Sequence, residues 1–293
     1  MKNLIIYEGK SEIDNKPVVA ILTGLANASL NSATGDMLQL YIMRSDIPPE
    51  EARHNGSDAS ICGSCNLRGE IVTIEEAKKR VLELPPKKRA NLKKQIRNAE
   101  KLKRKKLNIN RACYVIVAQA PANIFKCYKN GDYKKVTLEQ AIRYVQDEPL
   151  RIGAYGDSAS VPFYIIEALA KASGKVTNYT HCDNYNEKRA GELAQFSMLS
   201  VDNLQQAKRQ WARGYRTFRV SSNFSVDKNG VMRVNDIQAG ETQCPKTVTA
   251  KRENPRKRVT CQKCLGCNGL LTGLTKNYVT PAHGNGSAYH SNI

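Results

Sequence analysis

Long apolar stretches are missing from this chain of 293 residues, and its mean hydropathy is -0.52. No stretch approaches the ~18 consecutive apolar residues that a membrane-spanning helix requires. The chain starts MKNLIIYEGKSE, in which charged residues follow a very short apolar stretch, so the sequence predicts no secretory signal. We therefore expect a soluble, cytoplasmic protein that does not enter a membrane.

Motifs of several common enzyme classes are missing as well. The chain has no GxxxxGKS/T phosphate-binding loop, no HExxH zinc-protease motif and no GxSxG nucleophile elbow. These absences disfavour nucleotide hydrolysis of the P-loop type, zincin proteolysis and serine hydrolysis of the α/β-hydrolase type.

Positive charge is abundant but unevenly distributed. The formal net charge is +19, and residues 78–111 contain fifteen Lys or Arg against two Glu, a local net charge of +13 that leaves +6 for the rest. No aromatic residue lies in this segment. It predicts either a solvated helix face or an arm that binds nucleic-acid phosphates in a salt-dependent, sequence-independent way.

The basic segment belongs to a predicted helical insertion, residues 73–111. A capping box is predicted between Thr73 and Glu76, and a second helix over residues 87–107. Apolar residues recur along one side of this second helix: Leu92, Ile96, Ala99 and Leu102. The candidate phosphate-binding residues are its basic side chains: Lys87, Lys88, Arg89, Lys93, Lys94, Arg97, Lys101, Lys103, Arg104, Lys105 and Lys106.

Strand-like and helix-like segments alternate over residues 151–220, which predicts consecutive parallel strands with helices packed outside. A polar residue stands at the end of three of these strands: Asp157, His181 and Asp202. The carboxyl ends of parallel strands are where such sheets place their chemistry, so these are candidate catalytic residues for acid–base work. Asp157 could instead cap the helix that follows it, and Asp202 or Asn203 the next helix.

The remaining segments complete a predicted core of the α/β class. Strands are predicted at residues 16–24, 38–43, 113–117 and 278–283, a loop at 44–60 and a frayed tail at 284–293. The predicted division is into 1–72 (first strands and a CxxC loop), 73–111 (insertion), 112–243 (barrel-like core) and 244–293 (cysteine-rich region and tail).

Nine cysteines occur in a chain without an export signal, so metal binding or catalysis is favoured over disulfides. Four of them lie within 24 residues in the pattern CP…CxxCxxC: Cys244, Cys261, Cys264 and Cys267. This spacing predicts one shared metal site. A [4Fe–4S] cluster is preferred, and zinc remains the alternative.

A second candidate group combines the CxxC pair Cys62 and Cys65 with Cys113. It either holds its own cluster with a fourth position that is not a cysteine, or shares the first site in space. Cys127 and Cys182 have no spaced partner, and we expect neither to be a ligand.

A series of ordered motifs spans residues 18–284 and is interrupted only by the basic insertion. In chain order the motifs are TG…S.N…TG, CGSCNLRG, CYV, RIGAYGDSASVP, YTH, SMLSVD, GYRTFRV, CP…CQKCLGC and AHG. The set resembles a family of uncharacterised cysteine-rich proteins of tailed bacteriophages, and is distantly similar to phage proteins related to radical S-adenosylmethionine enzymes. The resemblance implies a partial TIM-like barrel, iron–sulfur ligation and the host cytoplasm.

One departure from the radical enzymes bears on the cofactor. Those enzymes use CxxxCxxC after the first strand, whereas this chain has only CxxC at Cys62 and Cys65. Binding of S-adenosylmethionine therefore stays open. Two functions follow as hypotheses: an iron–sulfur protein, radical or degenerate, with its site at the strand ends, or a non-enzymatic nucleic-acid-binding protein with a structural metal site.

Overall fold

The computed structural model describes residues 3–25, 34–248 and 259–283. The predicted tail at 284–293 and the side chain of Lys87 lie outside what it describes. The strands are Leu4–Lys10 (β1), Pro17–Thr23 (β2), Leu38–Arg44 (β3), Glu70–Thr73 (β4), Lys106–Ile109 (β5), Lys134–Lys135 (β6), Leu150–Tyr155 (β7), Val176–Thr177 (β8), Tyr179–Thr180 (β9), Met198–Val201 (β10), Thr217–Ser221 (β11), Phe224–Val226 (β12), Met232–Val234 (β13), Glu241–Gln243 (β14) and Asn277–Pro281 (β15).

Helices alternate with these strands through most of the chain. The α-helices are Pro49–Asn55 (α1), Ala59–Cys62 (α2), Ile74–Val81 (α3), Pro86–Lys101 (α4), Ala120–Lys129 (α5), Leu138–Val145 (α6), Phe163–Ser173 (α7), Glu187–Leu193 (α8), Leu204–Ala212 (α9) and Cys261–Cys264 (α10). Short 3-10 helices cover Asn66–Arg68, Ser158–Ser160, Cys182–Asn184 and Pro245–Thr247.

Two main sheets carry the fold. The first has the order β6-β1-β2-β3-β7-β8, and the second β14-β15-β11-β10-β9. Only β2 pairs antiparallel with its neighbours; every other pairing in these two sheets is parallel. The prediction of an α/β chain with a mainly parallel sheet is therefore confirmed. The described strands form open sheets and no closed barrel.

The two sheets meet at Asn178, which lies between β8 and β9. β8 pairs with β7 in the first sheet, and β9 pairs with β10 in the second. The Asn178 side-chain amide donates to the hydroxyls of Ser158 (3.1 Å) and Ser197 (2.5 Å). A strand predicted to be continuous over residues 176–181 is thus interrupted, and each half joins a different sheet.

The main core lies between the sheets and helices α5–α8. Strands buried on both sides read as apolar runs, and Pro17–Thr23 and Leu38–Arg44 follow this rule. Side chains alternate between the two faces of a strand, so Leu150 and Ile152 enter the core while Arg151 points to the opposite face. That opposite face, marked by Arg151, Thr177 and Tyr179, is called the cysteine face below.

The insertion has a small core of its own. β4 and β5 form an antiparallel pair that helices α3 and α4 cover. The capping box is present: the Glu76 N–H donates to the Thr73 hydroxyl (3.2 Å), and the Glu76 carboxylate accepts from the Thr73 N–H (2.7 Å). A cluster distinct from the main core contains Val72, Ala77, Val81, Leu92, Ile96, Ala99, Leu107 and Ile109.

Some predicted boundaries of the insertion were wrong. The second helix, predicted over residues 87–107, ends at Lys101. Lys103 has a positive φ of 52°, which a helix does not permit, and Leu107 then enters the small core from strand β5. Leu102, predicted on the apolar side, is 58% exposed because it lies past the last helical turn.

Two other predictions were also wrong. Residues 113–117 are irregular rather than a strand, because the Arg111 guanidinium takes the carbonyls of Cys113 (2.8 Å) and Val115 (2.9 Å) that a neighbouring strand would otherwise bind. The predicted loop at 44–60 contains α1, which has Pro49 at its first position and the left-handed Gly56 at its end. Strand β1 was not predicted.

The separate core of the insertion can be tested by Ile96→Ala. The substitution should remove about 2–4 kcal/mol of packing from the small core and speed amide hydrogen exchange in α3, α4, β4 and β5. Ile152→Ala, a matched truncation in the main core, should instead lower the global free energy of unfolding. Faster exchange across β3 and β7 in the Ile96→Ala protein would show that the two cores unfold together.

Candidate functional site

The four C-terminal cysteines line one small cavity on the cysteine face. Its other walls include Thr177, Tyr179 and Tyr278. Cys244 follows β14, where its N–H donates to the Val279 carbonyl at 2.8 Å. The remaining three lie on α10 and in the turn after it, so the predicted convergence of Cys244 with Cys261, Cys264 and Cys267 on one cavity is what the fold produces.

Hydrogen bonds from Arg216 fix the turn that carries Cys267. This buried guanidinium donates to the carbonyls of Gly266 (2.8 Å) and Gly269 (2.5 Å) and to the Asn268 side chain (3.0 Å). The Cys267 carbonyl also accepts from the Asn178 N–H at 3.0 Å. The turn is therefore fixed to both main sheets.

Gly266 explains part of the CxxCxxC sequence. A Cβ atom at this position would collide with the phenol ring of Tyr278, which pairs along β15 beside Phe218 of β11. Close approach of the backbone to that ring requires glycine. The approach places Cys267 in the cluster formed by Met198, Tyr278 and their neighbours.

Burial and mutual proximity act together on these thiols. The pKa of Cys244 is raised to about 11, chiefly by burial and in part by Cys261 and Cys264. The pKa of Cys267 is also raised, first by burial and then by the other three thiols, while a hydrogen bond with Tyr179 opposes the shift. The other three thiols therefore all lie within electrostatic range of Cys267. A metal or cluster that binds them must displace their protons.

The donor set fits a thiolate-bound group, since the cavity presents four soft sulfur ligands. Within the described ranges, however, no group of three or more His, Cys, Asp or Glu side chains has the arrangement of a metal-ion site. The shared cavity is therefore an observation, and the metal site remains a prediction.

The second cysteine group lies at the carboxyl ends of the strands. Cys62 ends α2, and the Cys65 N–H donates back to its carbonyl at 3.2 Å. Burial raises the pKa of both thiols, and the Cys113 thiol adds to each shift. Cys113 is brought there by its N–H, which donates to the Leu67 carbonyl at 2.8 Å. The three predicted partners are thus neighbours.

Asp157 has a structural position at the end of β7. Its carboxylate accepts from the Ala159 N–H (2.9 Å), the Thr180 hydroxyl (2.8 Å) and the His181 N–H (2.8 Å). It therefore caps the 3-10 helix Ser158–Ser160, as the alternative interpretation proposed, and also ties β7 to the end of β9. Burial raises its pKa despite these donors.

Asp202 and His181 are less constrained. The Asp202 carboxylate accepts from the Asn66 side chain at 2.7 Å, which joins the end of β10 to the CxxC loop. The cap of α9 is Asn203, one of the two caps that the sequence predicted, and Asp202 does not cap it. The His181 Nε2 atom is buried and has no hydrogen-bond partner among the described residues.

A third acidic residue, Asp183, was missed by sequence reasoning. Its Oδ2 atom accepts from Gln206 (3.0 Å) and Gln210 (3.1 Å), whereas Oδ1 is buried without a partner in the described structure. Burial raises its pKa, and His181 lowers it. Sequence gave no signal for Asp183, because it follows the strand inside a 3-10 helix and has no characteristic spacing.

The two cysteine groups are separated by Tyr114 and Arg151. Tyr114 follows Cys113 in the chain, and its phenol also lies within electrostatic range of Cys261. The Arg151 guanidinium donates to the Tyr114 hydroxyl at 3.4 Å. Cys127 and Cys182 belong to neither group; Cys182 is fully buried beside Thr180, where its N–H donates to the hydroxyl at 3.1 Å.

Comparisons of this chain with protein-family models, curated proteins and solved structures find no match. Among the described residues, no helix combines the length and the apolar character that crossing a membrane requires.

The role of Asp157 can be tested by Asp157→Asn. The new amide would present N–H donors to a site that supplies three donors, so we expect a loss of about 1–3 kcal/mol in unfolding free energy. Asp202→Asn is the matched control and should cost less, because Asp202 accepts one side-chain hydrogen bond, from Asn66. Equal stability of both variants in urea unfolding would contradict this assignment.

Proposed function

We propose that the protein is an iron–sulfur protein whose C-terminal cysteines, Cys244, Cys261, Cys264 and Cys267, hold a [4Fe–4S] cluster. The observation that carries the proposal is that these four thiols line one cavity, although residues 245–260 separate the first from the rest in sequence. Such a cluster, when bound, supplies one-electron chemistry. Zinc is the alternative occupant of four thiolates.

The protein's own residues would position this group. Arg216 and Asn178 fix the turn that carries Cys267, and Tyr179 hydrogen-bonds to the Cys267 thiol. The cavity walls are largely apolar or aromatic, which limits the access of water to the sulfurs. Cys267 is buried and the other three cysteines are half-buried, so the site is partly shielded from solvent.

A second part of the proposal places a reaction at the strand ends. Cys62, Cys65 and Cys113 lie beside Asp157 and Asp202 there, as the electrostatic influence of both carboxyl groups on Cys65 indicates. Three cysteines leave one position of a cluster free for a ligand, as radical S-adenosylmethionine enzymes require. The open, mainly parallel sheet is consistent with a partial TIM-like barrel of that kind.

Among the strand-end candidates, His181 and Asp183 are better placed than Asp157 for proton transfer. Asp157 is engaged by three donors, whereas His181 and Asp183 each keep one buried polar atom without a partner in the described structure. A buried acid and a neighbouring imidazole can hold and release a proton.

The cluster proposal predicts that Cys264→Ser loses the C-terminal group. After anaerobic purification, the wild-type protein should contain iron and sulfide in similar amounts, and the variant should lose the share of the iron, visible absorbance and thermal stability that the C-terminal cluster supplies. Cys127→Ser is the matched control, because Cys127 lies outside both groups, and it should retain all three. Zinc without sulfide in the wild type would support the alternative occupant, and neither metal would refute the site.

Nucleic-acid binding by the insertion is a second candidate function, favoured by one observation. Seven of the eleven candidate phosphate-binding side chains are exposed and have no ion pair within the described structure: Lys93, Lys94, Arg97, Lys101, Lys103, Lys105 and Lys106. Arg104, by contrast, pairs with Glu50 at 3.0 Å, and Arg89 donates to the carbonyls of Leu82 and Leu84.

This second function predicts a steep dependence of affinity on salt. Binding to a duplex DNA of mixed sequence should weaken as salt rises, with a slope that falls by roughly one for each phosphate contact removed. Replacing Lys93, Lys94 and Arg97 together by Gln should lower both affinity and slope, whereas Lys134→Gln with Lys135→Gln, on the distant edge strand β6, should not. A flat salt dependence would exclude a phosphate-binding arm.

A further inference from the structure

Arg151 carries a buried positive charge without an acidic partner. The residue is 9% exposed, and no carboxylate forms an ion pair with it among the described residues. Its one hydrogen bond to a side chain, to the Tyr114 hydroxyl, is long at 3.4 Å. A guanidinium keeps its proton in proteins, so the Arg151 side chain stays charged. An unpaired buried charge lowers the stability of the fold.

Other buried arginines of the chain are compensated. Arg44 pairs with Asp46 at 2.7 Å, and Arg219 pairs with Asp236 and Glu241, each at 2.7 Å. Arg216 has no carboxylate but donates to backbone carbonyls and to Asn268. Arg151 therefore differs from them in having neither an acid nor a set of carbonyls.

Four ionisable groups lie within electrostatic range of Arg151: Tyr114, Tyr179, Tyr41 and Cys261, of which Cys261 belongs to the four-cysteine cavity. Within this set, only the thiol becomes anionic when a metal binds, because the pKa of each tyrosine is raised above its ordinary value. Among the described residues, the negative charge that Arg151 lacks is thus available next to it from the cysteine site.

We propose that Arg151 is the counter-charge of the C-terminal four-cysteine group and stabilises its bound, anionic form. The inference rests on the proposed metal site. Four thiolates around a divalent zinc ion, or around a [4Fe–4S] core, give a complex with net negative charge. A buried cation beside it offsets the cost of placing that charge in an apolar cavity.

A hydroxyl on the neighbouring strand supports this assignment. Thr177 is the register partner of Arg151 across β7 and β8, so both side chains lie on the cysteine face. Thr177 is 2% exposed, its hydroxyl has no hydrogen-bond partner in the described structure, and it lines the four-cysteine cavity. An unused hydroxyl donor on a residue that lines this cavity is suited to a thiolate acceptor.

The test uses the full-length chain carrying Cys62→Ser and Cys65→Ser. These substitutions remove the second cysteine group, so that the C-terminal four-cysteine group is the site whose Zn²⁺ binding is measured. Affinity for Zn²⁺ is measured at one pH by competition with a chelator, and the apo form is unfolded thermally. Arg151→Gln should weaken Zn²⁺ affinity by about tenfold or more, and Arg151→Lys should restore most of it. The apo Arg151→Gln protein should be at least as stable as its parent, because an uncompensated buried charge has been removed.

Arg44→Gln is the matched control, since Arg44 is also buried but paired with Asp46. It should lower the stability of the apo protein and leave Zn²⁺ affinity unchanged. An unchanged Zn²⁺ affinity of the Arg151→Gln protein would overturn the inference. A loss of thermal stability in the apo Arg151→Gln protein that is large enough to explain the weaker binding would overturn it as well. Failure of the parent protein to take up Zn²⁺ would instead refute the four-cysteine site itself.

Discussion

The fold depends on the interruption of one strand at Asn178. Its backbone accepts from the Met198 N–H and donates to the Cys267 carbonyl, each at 3.0 Å, and its side chain binds Ser158 and Ser197. A fully buried amide must have such partners. Through them one residue joins the first sheet, the second sheet and the cysteine turn, so the position of the candidate metal cavity is coupled to the junction of the sheets.

Both cysteine groups are supported by contacts between residues that are far apart in sequence. The C-terminal group relies on Arg216 below its turn and on Tyr179 and Tyr278 beside its sulfurs. The strand-end group relies on Leu67 and Asn66, which place Cys113 and Asp202 against the CxxC loop. Tyr114 and Arg151 lie between the two, so a charge change at one group acts on residues that also contact the other.

Local sequence patterns were sufficient to predict secondary structure where the backbone hydrogen bonds are formed within a regular helix or sheet. The alternation over residues 151–220 predicted consecutive parallel strands, which β7 to β11 form. Local patterns were insufficient where a side chain, instead of a neighbouring strand, binds the backbone carbonyls. Arg111 does this for Cys113 and Val115, and the apolar run there was therefore mistaken for a strand. The end of α4 was missed because Leu107 is buried by pairing with β4, which sequence spacing does not show.

The sequence by itself determined which residues have metal-binding and acid–base chemistry, because spacing of cysteines and the polar ends of strands are local properties. Only the tertiary structure decided how those residues are used. It brought Cys244 to the cavity of the other three and engaged Asp157 with three donors. In the part of the chain that the structure describes, it left His181 and Asp183 each with a buried atom that has no hydrogen-bond partner, and it placed Arg151 within electrostatic range of Cys261 with no acid paired to it. The physical reason is that burial and the choice of hydrogen-bond partner depend on contacts across the sheet junction, which no local pattern encodes.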